Sequence, residues 1–220
     1  MAKTIKGIIF DMDGTMVDNM MTHHRAWQRK LSSLGLEMSI EEVKEKIHGV
    51  NEEILERLFG DRFTVEERRQ IAWEKEEEYR KIFRSELKLI DGLPELLEAL
   101  RAAAIPMAVG TAAPPENADF ILDSLHLRSY FGATFDAGDV SQGKPHPEIF
   151  QKAAAGIGLS PAECLVFEDS PTGIETARRA GATAIAVLTT HSTEEFAHFP
   201  HIIRMIKDYR GLQVNDLIGG

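Results

Sequence analysis

The stretch Gly7-Ile8-Ile9-Phe10-Asp11-Met12-Asp13-Gly14-Thr15 decides the fold. Its apolar half is continuous rather than alternating, the pattern of a strand buried on both faces in a parallel sheet. Its second half places two acids two residues apart. On extended chain such acids point the same way, out of the strand's C-terminal end. In open α/β sheets that end is where ligands bind. Two close carboxylates repel at neutral pH unless a proton or a cation joins them. Magnesium suits the position, because it favours one or two carboxylates together with phosphate and water. Gly14 permits a tight departure that lets backbone amides approach a phosphate. Taken alone, the motif equally describes a capped turn after a strand.

Further along the chain, Pro106–Gly110, Cys164–Phe167 and Ala182–Leu188 repeat the continuous apolar pattern. Each leads into a helical pattern, which predicts right-handed βαβ units and a three-layer α/β core. Ala133–Phe135 and Ile202-Ile203 are candidate additional short strands. The segment 19–87 breaks this rhythm with successive helices. Met20, His24, Trp27, Leu31 and Leu34 fall at helical spacing, as do Val43, Ile47, Ile54 and Leu58, and the apolar members are read as the core of this segment. Ser39 to Glu42 and Thr64 to Glu67 fit the capping box that opens a helix, as do Ser160 to Glu163 and Ser192 to Glu195. The expected organisation is a core of residues 1–18 and 88–220 interrupted by a helical insert, 19–87. The last residues, 217–220, are expected to fray.

Composition narrows the class. The chain has 220 residues, 43% of them hydrophobic, which suffices for a core plus a small appended domain. A net charge of −10 argues against a protein built to grip nucleic acid or an anionic membrane. The single cysteine, Cys164, excludes an intramolecular disulfide and reads as a buried structural thiol. No apolar stretch approaches a membrane span and the N-terminus carries no long hydrophobic leader, so the expected location is cytoplasmic and the expected state a monomer.

The remaining strand ends carry chemistry of their own. Pro106–Gly110 runs into Thr111, whose hydroxyl could hold phosphate oxygens before the helix start at Pro114-Pro115-Glu116. Lys144 stands at the head of another helix, where the dipole disfavours a cation unless an anion joins it. Cys164–Phe167 leads into Glu168-Asp169-Ser170, a second acidic pair that also suits a helix N-cap.

Asp11-x-Asp13-Gly14-Thr15, Thr111, Lys144-Pro145 and Glu168-Asp169 occur in the order and spacing of the four motifs of the haloacid dehalogenase-like superfamily, which the chain resembles over nearly its whole length. The resemblance implies a Rossmann-like parallel-sheet core with an inserted helical-bundle cap, like the subgroup of β-phosphoglucomutase and the sugar-phosphate phosphatases. By that resemblance Asp11 is the nucleophile and becomes an aspartyl-phosphate. Asp13 is the general acid and then base, its backbone carbonyl also ligating Mg2+ with Asp11 and Asp169. Glu168 supports the metal through its outer shell, and Thr111 and Lys144 stabilise charge on the transferring phosphoryl group. The dehalogenases of the superfamily need no metal, so Asp13 and the Glu168-Asp169 pair favour phosphoryl transfer. The substrate implied is a small phosphorylated metabolite.

Water as acceptor gives a phosphatase; a phosphosugar hydroxyl gives a mutase. His23 and Lys75 stand where a mutase cap carries a histidine and a lysine, although a polar helix residue and a salt-bridging surface lysine explain them equally well. Ile47-His48-Gly49-Val50-Asn51-Glu52 departs from the mutase pattern, placing His48 and Glu52 where a lysine and a phosphate-gripping arginine are expected. At an effective dielectric near 20, unit charges about 4 Å apart interact by roughly 4 kcal/mol, so reversing a sign there weakens the hold on a bisphosphate unless a cation such as Arg57 compensates. Glu52 could instead order water or bind sugar hydroxyls. The sequence therefore favours hydrolysis of a sugar phosphate, with the mutase second. A receiver-like phosphoacceptor module comes third, disfavoured by the insert and by Asp13.

Overall fold

The computed structural model describes residues 4–218. The chain divides into two compact units, one of residues 1–18 with 88–220 and one of residues 19–87.

The first unit is built on six parallel strands: β1 (Gly7–Phe10), β2 (Met107–Gly110), β3 (Ala133–Phe135), β4 (Cys164–Glu168), β5 (Thr183–Val187) and β6 (Ile202–Ile206). Their order across the sheet is β3-β2-β1-β4-β5-β6. The strand carrying the first motif is therefore central, with the β2 and β4 ends on either side. Phe10 pairs with Val109 and with Phe167, so the residues that follow these strands leave the sheet side by side. The apolar runs become strands within a residue or two of the expected limits, and both expected short strands are present. The β6 strand runs on to Ile206, beyond the Ile202-Ile203 pair, completing its pairing with Val187.

Alternation sorts the strand residues onto two faces. Ile9, Ala108, Val166 and Ala184 form one cluster with Ile149, Phe150 and Ala153 of α7 (Glu148–Gly156) and Ile174 and Ala177 of α8 (Pro171–Ala180). On the other face Phe10 stacks on Phe167 at 5.1 Å, and the buried Tyr209 ring lies 5.2 Å from Phe167. The Tyr209 hydroxyl donates to the Thr15 carbonyl at 3.0 Å, bracing the turn after β1 from below. Cys164 is fully buried, and burial, reinforced by Glu163, pushes its thiol up to about 12, which makes it inert.

The second unit contains α1 (Met20–Ser33), α2 (Ile40–Lys46), α3 (Asn51–Phe59) and α4 (Val65–Phe83). Capping boxes open α2 at Ser39 and α4 at Thr64. Trp27, Leu31, Val43, Ile47, Ile54, Leu55 and Ile71 form its core. Met20 and His24 fall outside that cluster although they share the α1 spacing. The stripe from Val43 to Leu58 belongs to two helices rather than one, because Gly49 adopts φ +100° between them.

Two other helix expectations need correction. The Ser160 box opens only a single 3-10 turn, 161–163, because β4 begins at once. The expected fraying at the C-terminus does not reach Leu217, which ends a short helix (Val214–Leu217) and is 3% exposed. Gly219 and Gly220 lie outside the described residues. No helix among the described residues is long and apolar enough to cross a membrane.

Burial pushes the His24 imidazole down to about 4, helped by repulsion from His23, Lys44, His48 and Lys75. An unfolded histidine titrates near about 6.5. As pH falls from 6.5 toward 4, the unfolded chain takes up a proton that the folded chain refuses, and stability is lost across that window. Thermal melts of the wild type should fall over this range, and those of His24→Gln should fall less steeply. Equal slopes would remove His24 from the acid response.

Candidate active site

The acids sit where the central strands end. The Asp11 amide continues the ladder, donating to the Phe167 carbonyl at 3.0 Å. The chain then turns around the Met12 carbonyl, which accepts from the amides of Thr15, Met16 and Val17. Gly14 takes φ +70° in this turn, and a Cβ there would lie 2.1 Å from Asp169 Oδ2. A side chain at position 14 is thus incompatible with Asp169 in its place.

Asp11, Glu168 and Asp169 are all buried, and one carboxylate oxygen from each lies within 4.8 Å of the others. Lys144 reaches in from the loop before α7, its Nζ 2.6 Å from Asp11 Oδ1 and 2.7 Å from Glu168 Oε1. The same ammonium lies 4.8 Å from the centre of the Phe150 ring. Glu168 Oε2 accepts from the Ser170 amide at 2.6 Å and its hydroxyl at 3.0 Å, so both oxygens of Glu168 are committed. The Ser170 hydroxyl also accepts from the Gly173 amide at 3.0 Å. Ser170, rather than Asp169, caps α8, which leaves Asp169 to the cluster.

Asp13 is partly exposed in the turn, and its charge helps raise Asp11. Its carboxylate is not among the three clustered oxygens. Thr111, one residue past β2, is buried, and its hydroxyl accepts from the Ala113 amide at 3.1 Å while keeping its own proton to donate. The helix after it, α6, runs Pro115–Ser124.

Fully ionised, the three carboxylates outnumber the one ammonium of this buried cluster. Burial pushes the Asp11 carboxyl up to about 7 and Asp169 well above the usual carboxylate range, Lys144 pulling both back down. Lys144 itself is raised by its acidic partners despite burial. The imbalance is one that a hard divalent cation relieves, and an all-oxygen donor set at this spacing fits one.

Two hydroxyls at the site were not singled out in the sequence. Thr190 Oγ1 donates to Asp169 Oδ2 at 2.5 Å, and the Thr189 hydroxyl donates to the Gly14 carbonyl. Both follow β5, so the strand-end hydroxyl signal that marked Thr111 was available for them as well.

A family model for haloacid dehalogenase-like hydrolases matches residues 5–181. The chain belongs to that family. Among relatives of this haloacid dehalogenase-like enzyme, the fructose-1-phosphate phosphatase of Escherichia coli strain K12 is 34% identical over 183 residues, covering 82% of this chain and 95% of that protein. The β-phosphoglucomutase of Bacillus subtilis strain 168 is 32% identical over 192 residues, covering 83% of each. A crystal structure of a family IA, variant 3 hydrolase from Entamoeba histolytica superposes with a TM-score of 0.88 at 27% identity, covering 96% of this chain and 97% of that one.

Within the helical unit of this hydrolase two of the four singled-out residues are in direct contact. His23 and Lys75 meet: Lys75 Nζ donates to His23 Nδ1 at 2.9 Å, and the His23 ring stacks on Tyr79 at 3.8 Å. Lys75 is 2% exposed, which corrects the option of a surface salt bridge. It pairs with buried Glu76 at 2.9 Å, and the Asn51 amide donates to the same Glu76 oxygen at 2.7 Å. Burial would raise the Glu76 carboxyl, but Lys75, His23 and these hydrogen bonds outweigh it and hold it at about 2. His48 and Glu52 flank the turn at Gly49. His48 Nε2 meets the Glu45 carbonyl at 2.5 Å, and Glu52 occupies the first turn of α3. Arg57 donates to the carbonyls of Lys46 and His48 at 3.0 and 3.1 Å, so that cation braces the loop.

Removing one member of a buried charge pair costs about 3–5 kcal/mol. Lys144→Met, unfolded by urea at pH 7.5 with chelator present, should lose stability of that order, and added Mg2+ should restore part of it. A variant as stable as wild type would show that the ammonium does not hold the acids together.

Proposed function

We propose that the protein hydrolyses a small phosphomonoester, a sugar phosphate, through a phosphorylated Asp11. The observation that carries this reading is the Lys144 ammonium bridging buried Asp11 and Glu168 at the ends of adjacent strands. A carboxylate nucleophile for phosphorus must sit beside positive charge, or repulsion keeps the phosphate out. Asp11 attacks phosphorus as the bond to the leaving oxygen breaks, and Asp13 supplies the proton that this oxygen takes up. Water then attacks the aspartyl-phosphate, Asp13 accepts its proton, and phosphate leaves Asp11 free. Lys144 and the Thr111 hydroxyl stabilise charge on the transferring group. The carboxylates of Asp11 and Asp169, with the backbone carbonyl of Asp13, are the residues to hold Mg2+, which supplies positive charge against the phosphate oxygens. Glu168, saturated by Lys144 and Ser170, supports from outside.

The sugar-phosphate class rests on the relatives, which include the fructose-1-phosphate phosphatase and a phosphorylated carbohydrates phosphatase of Thermotoga maritima. Mutase chemistry is the second reading, favoured by the His23–Lys75 contact and by the relative that is a β-phosphoglucomutase. Against it, Glu52 stands at the α3 position where the mutases carry an arginine, and Arg57 is engaged by the loop carbonyls.

A panel of phosphorylated sugars, assayed for phosphate release with Mg2+ and again with chelator, tests the reading. Metal-dependent release is expected, and Asp11→Asn should lower it roughly 1,000-fold or more while remaining folded. Release that persists in chelator or in that variant would refute the mechanism. Incubation with β-glucose 1-phosphate and a trace of the bisphosphate separates the two acceptors: rapid glucose 6-phosphate without free phosphate would make the mutase the correct reading.

A further inference from the structure

The turn after β5 touches the acidic cluster from a direction that none of the four motifs supplies. Thr190 donates to Asp169 Oδ2 at 2.5 Å, and the neighbouring Thr189 hydroxyl fastens the same turn to the Gly14 carbonyl. Gly14 closes the remaining side: a Cβ at position 14 would sit 2.1 Å from Asp169 Oδ2 and 2.9 Å from Thr190 Oγ1. One oxygen of Asp169 is therefore wedged between a glycine Cα and a threonine hydroxyl, which leaves Oδ1 as the oxygen for a cation.

Asp11 follows the same pattern, whereas Glu168 has both oxygens held. Asp11 gives Oδ1 to Lys144, and Glu168 gives Oε1 to Lys144 and Oε2 to Ser170. A carboxylate with one oxygen held by a donor binds a metal through a single oxygen. Mg2+ is served by such ligands, since it demands six donors at about 2.0–2.1 Å in near-ideal octahedral geometry. Ca2+ takes six to eight donors at about 2.3–2.6 Å and readily uses a carboxylate bidentately.

We infer that Thr190 is a positioning residue that restricts Asp169 to one-oxygen coordination and thereby makes the site select Mg2+ over Ca2+. This rests on the proposed reading that the acidic cluster holds a divalent cation. With the hydroxyl removed, Asp169 can turn and offer both oxygens, which favours the larger ion. Hydroxyls that orient a metal-ligating carboxylate typically matter at the level of about 10–100-fold in affinity.

Calorimetric titration of the full chain with MgCl2 and with CaCl2, no substrate present, tests this apart from turnover. Thr190→Val should bind Mg2+ roughly 10–100-fold more weakly and Ca2+ at least as tightly as wild type, and Thr190→Ser should restore the wild-type ratio. Melting in chelator checks that each variant is folded; Thr190→Ala provides the same comparison if valine disturbs the turn. An unchanged Mg2+ to Ca2+ ratio in the hydroxyl-less variant overturns the inference. So does an equal loss of both ions, the mark of a turn that has merely loosened. Failure of the wild type to bind either ion brings down the metal reading itself, and this inference with it.

Discussion

Three buried carboxylates gathered beside one lysine, which bonds two of them, are an electrostatic problem that the core unit solves by convergence. Lys144 lies 133 residues from Asp11 and 24 from Glu168 in sequence, yet its ammonium is within 2.7 Å of both. An isolated buried carboxylate is expensive, and a pair that shares a cation is much less so. The parallel sheet makes the sharing possible, because β1 and β4 are neighbours in register and their C-terminal ends deliver acids side by side. Gly14 and Ser170 serve the same end. One clears space for Asp169, and the other caps α8 while saturating Glu168. The excess of acids over cations is a property of the fold, and the chemistry proposed for the site depends on it.

The helical unit solves a smaller version of the same problem in a different way. Lys75 and Glu76 are adjacent in sequence and both buried, with His23, Asn51 and Tyr79 completing the surroundings of the pair. A buried ion pair is weak evidence for stability, since apolar residues of like volume often do as well. What this one provides is a link among three helices, because Asn51 begins α3, His23 lies on α1 and the pair on α4. The loop before α3 is fixed separately by Arg57, which explains why the cation nearest Glu52 in sequence is already engaged with backbone carbonyls.

Much of this was legible in the sequence, and the reason differs by element. The apolar runs at Gly7–Phe10 and Cys164–Phe167 read as strands because burial on both faces leaves no alternation to confuse with a helix. The capping boxes at Ser39 and Thr64 read correctly because they are satisfied within one turn of chain. The Ser160 box shows the limit of that rule: its reciprocal bonds form, but a strand follows immediately and no helix can grow. The stripe from Val43 to Leu58 has helical spacing throughout, and only the left-handed backbone at Gly49 splits it. At the candidate site, the acids and Thr111 announced themselves by residue type at strand ends. Thr189 and Thr190 carried the same kind of signal but follow a strand that has no acid of its own, so they passed as an ordinary turn.

The sequence by itself determined the kinds of element, their order and the chemical types gathered after each strand, because these follow from local periodicity and from what a short polypeptide can satisfy within itself. Only the tertiary structure decided who faces whom. Lys75 is buried rather than solvated, Asp169 is held by Thr190 rather than capping a helix, and Leu217 packs rather than frays. Each of those outcomes is set by groups from other parts of the chain, through burial and charge pairing whose energies depend on distance in space and carry no trace in local spacing.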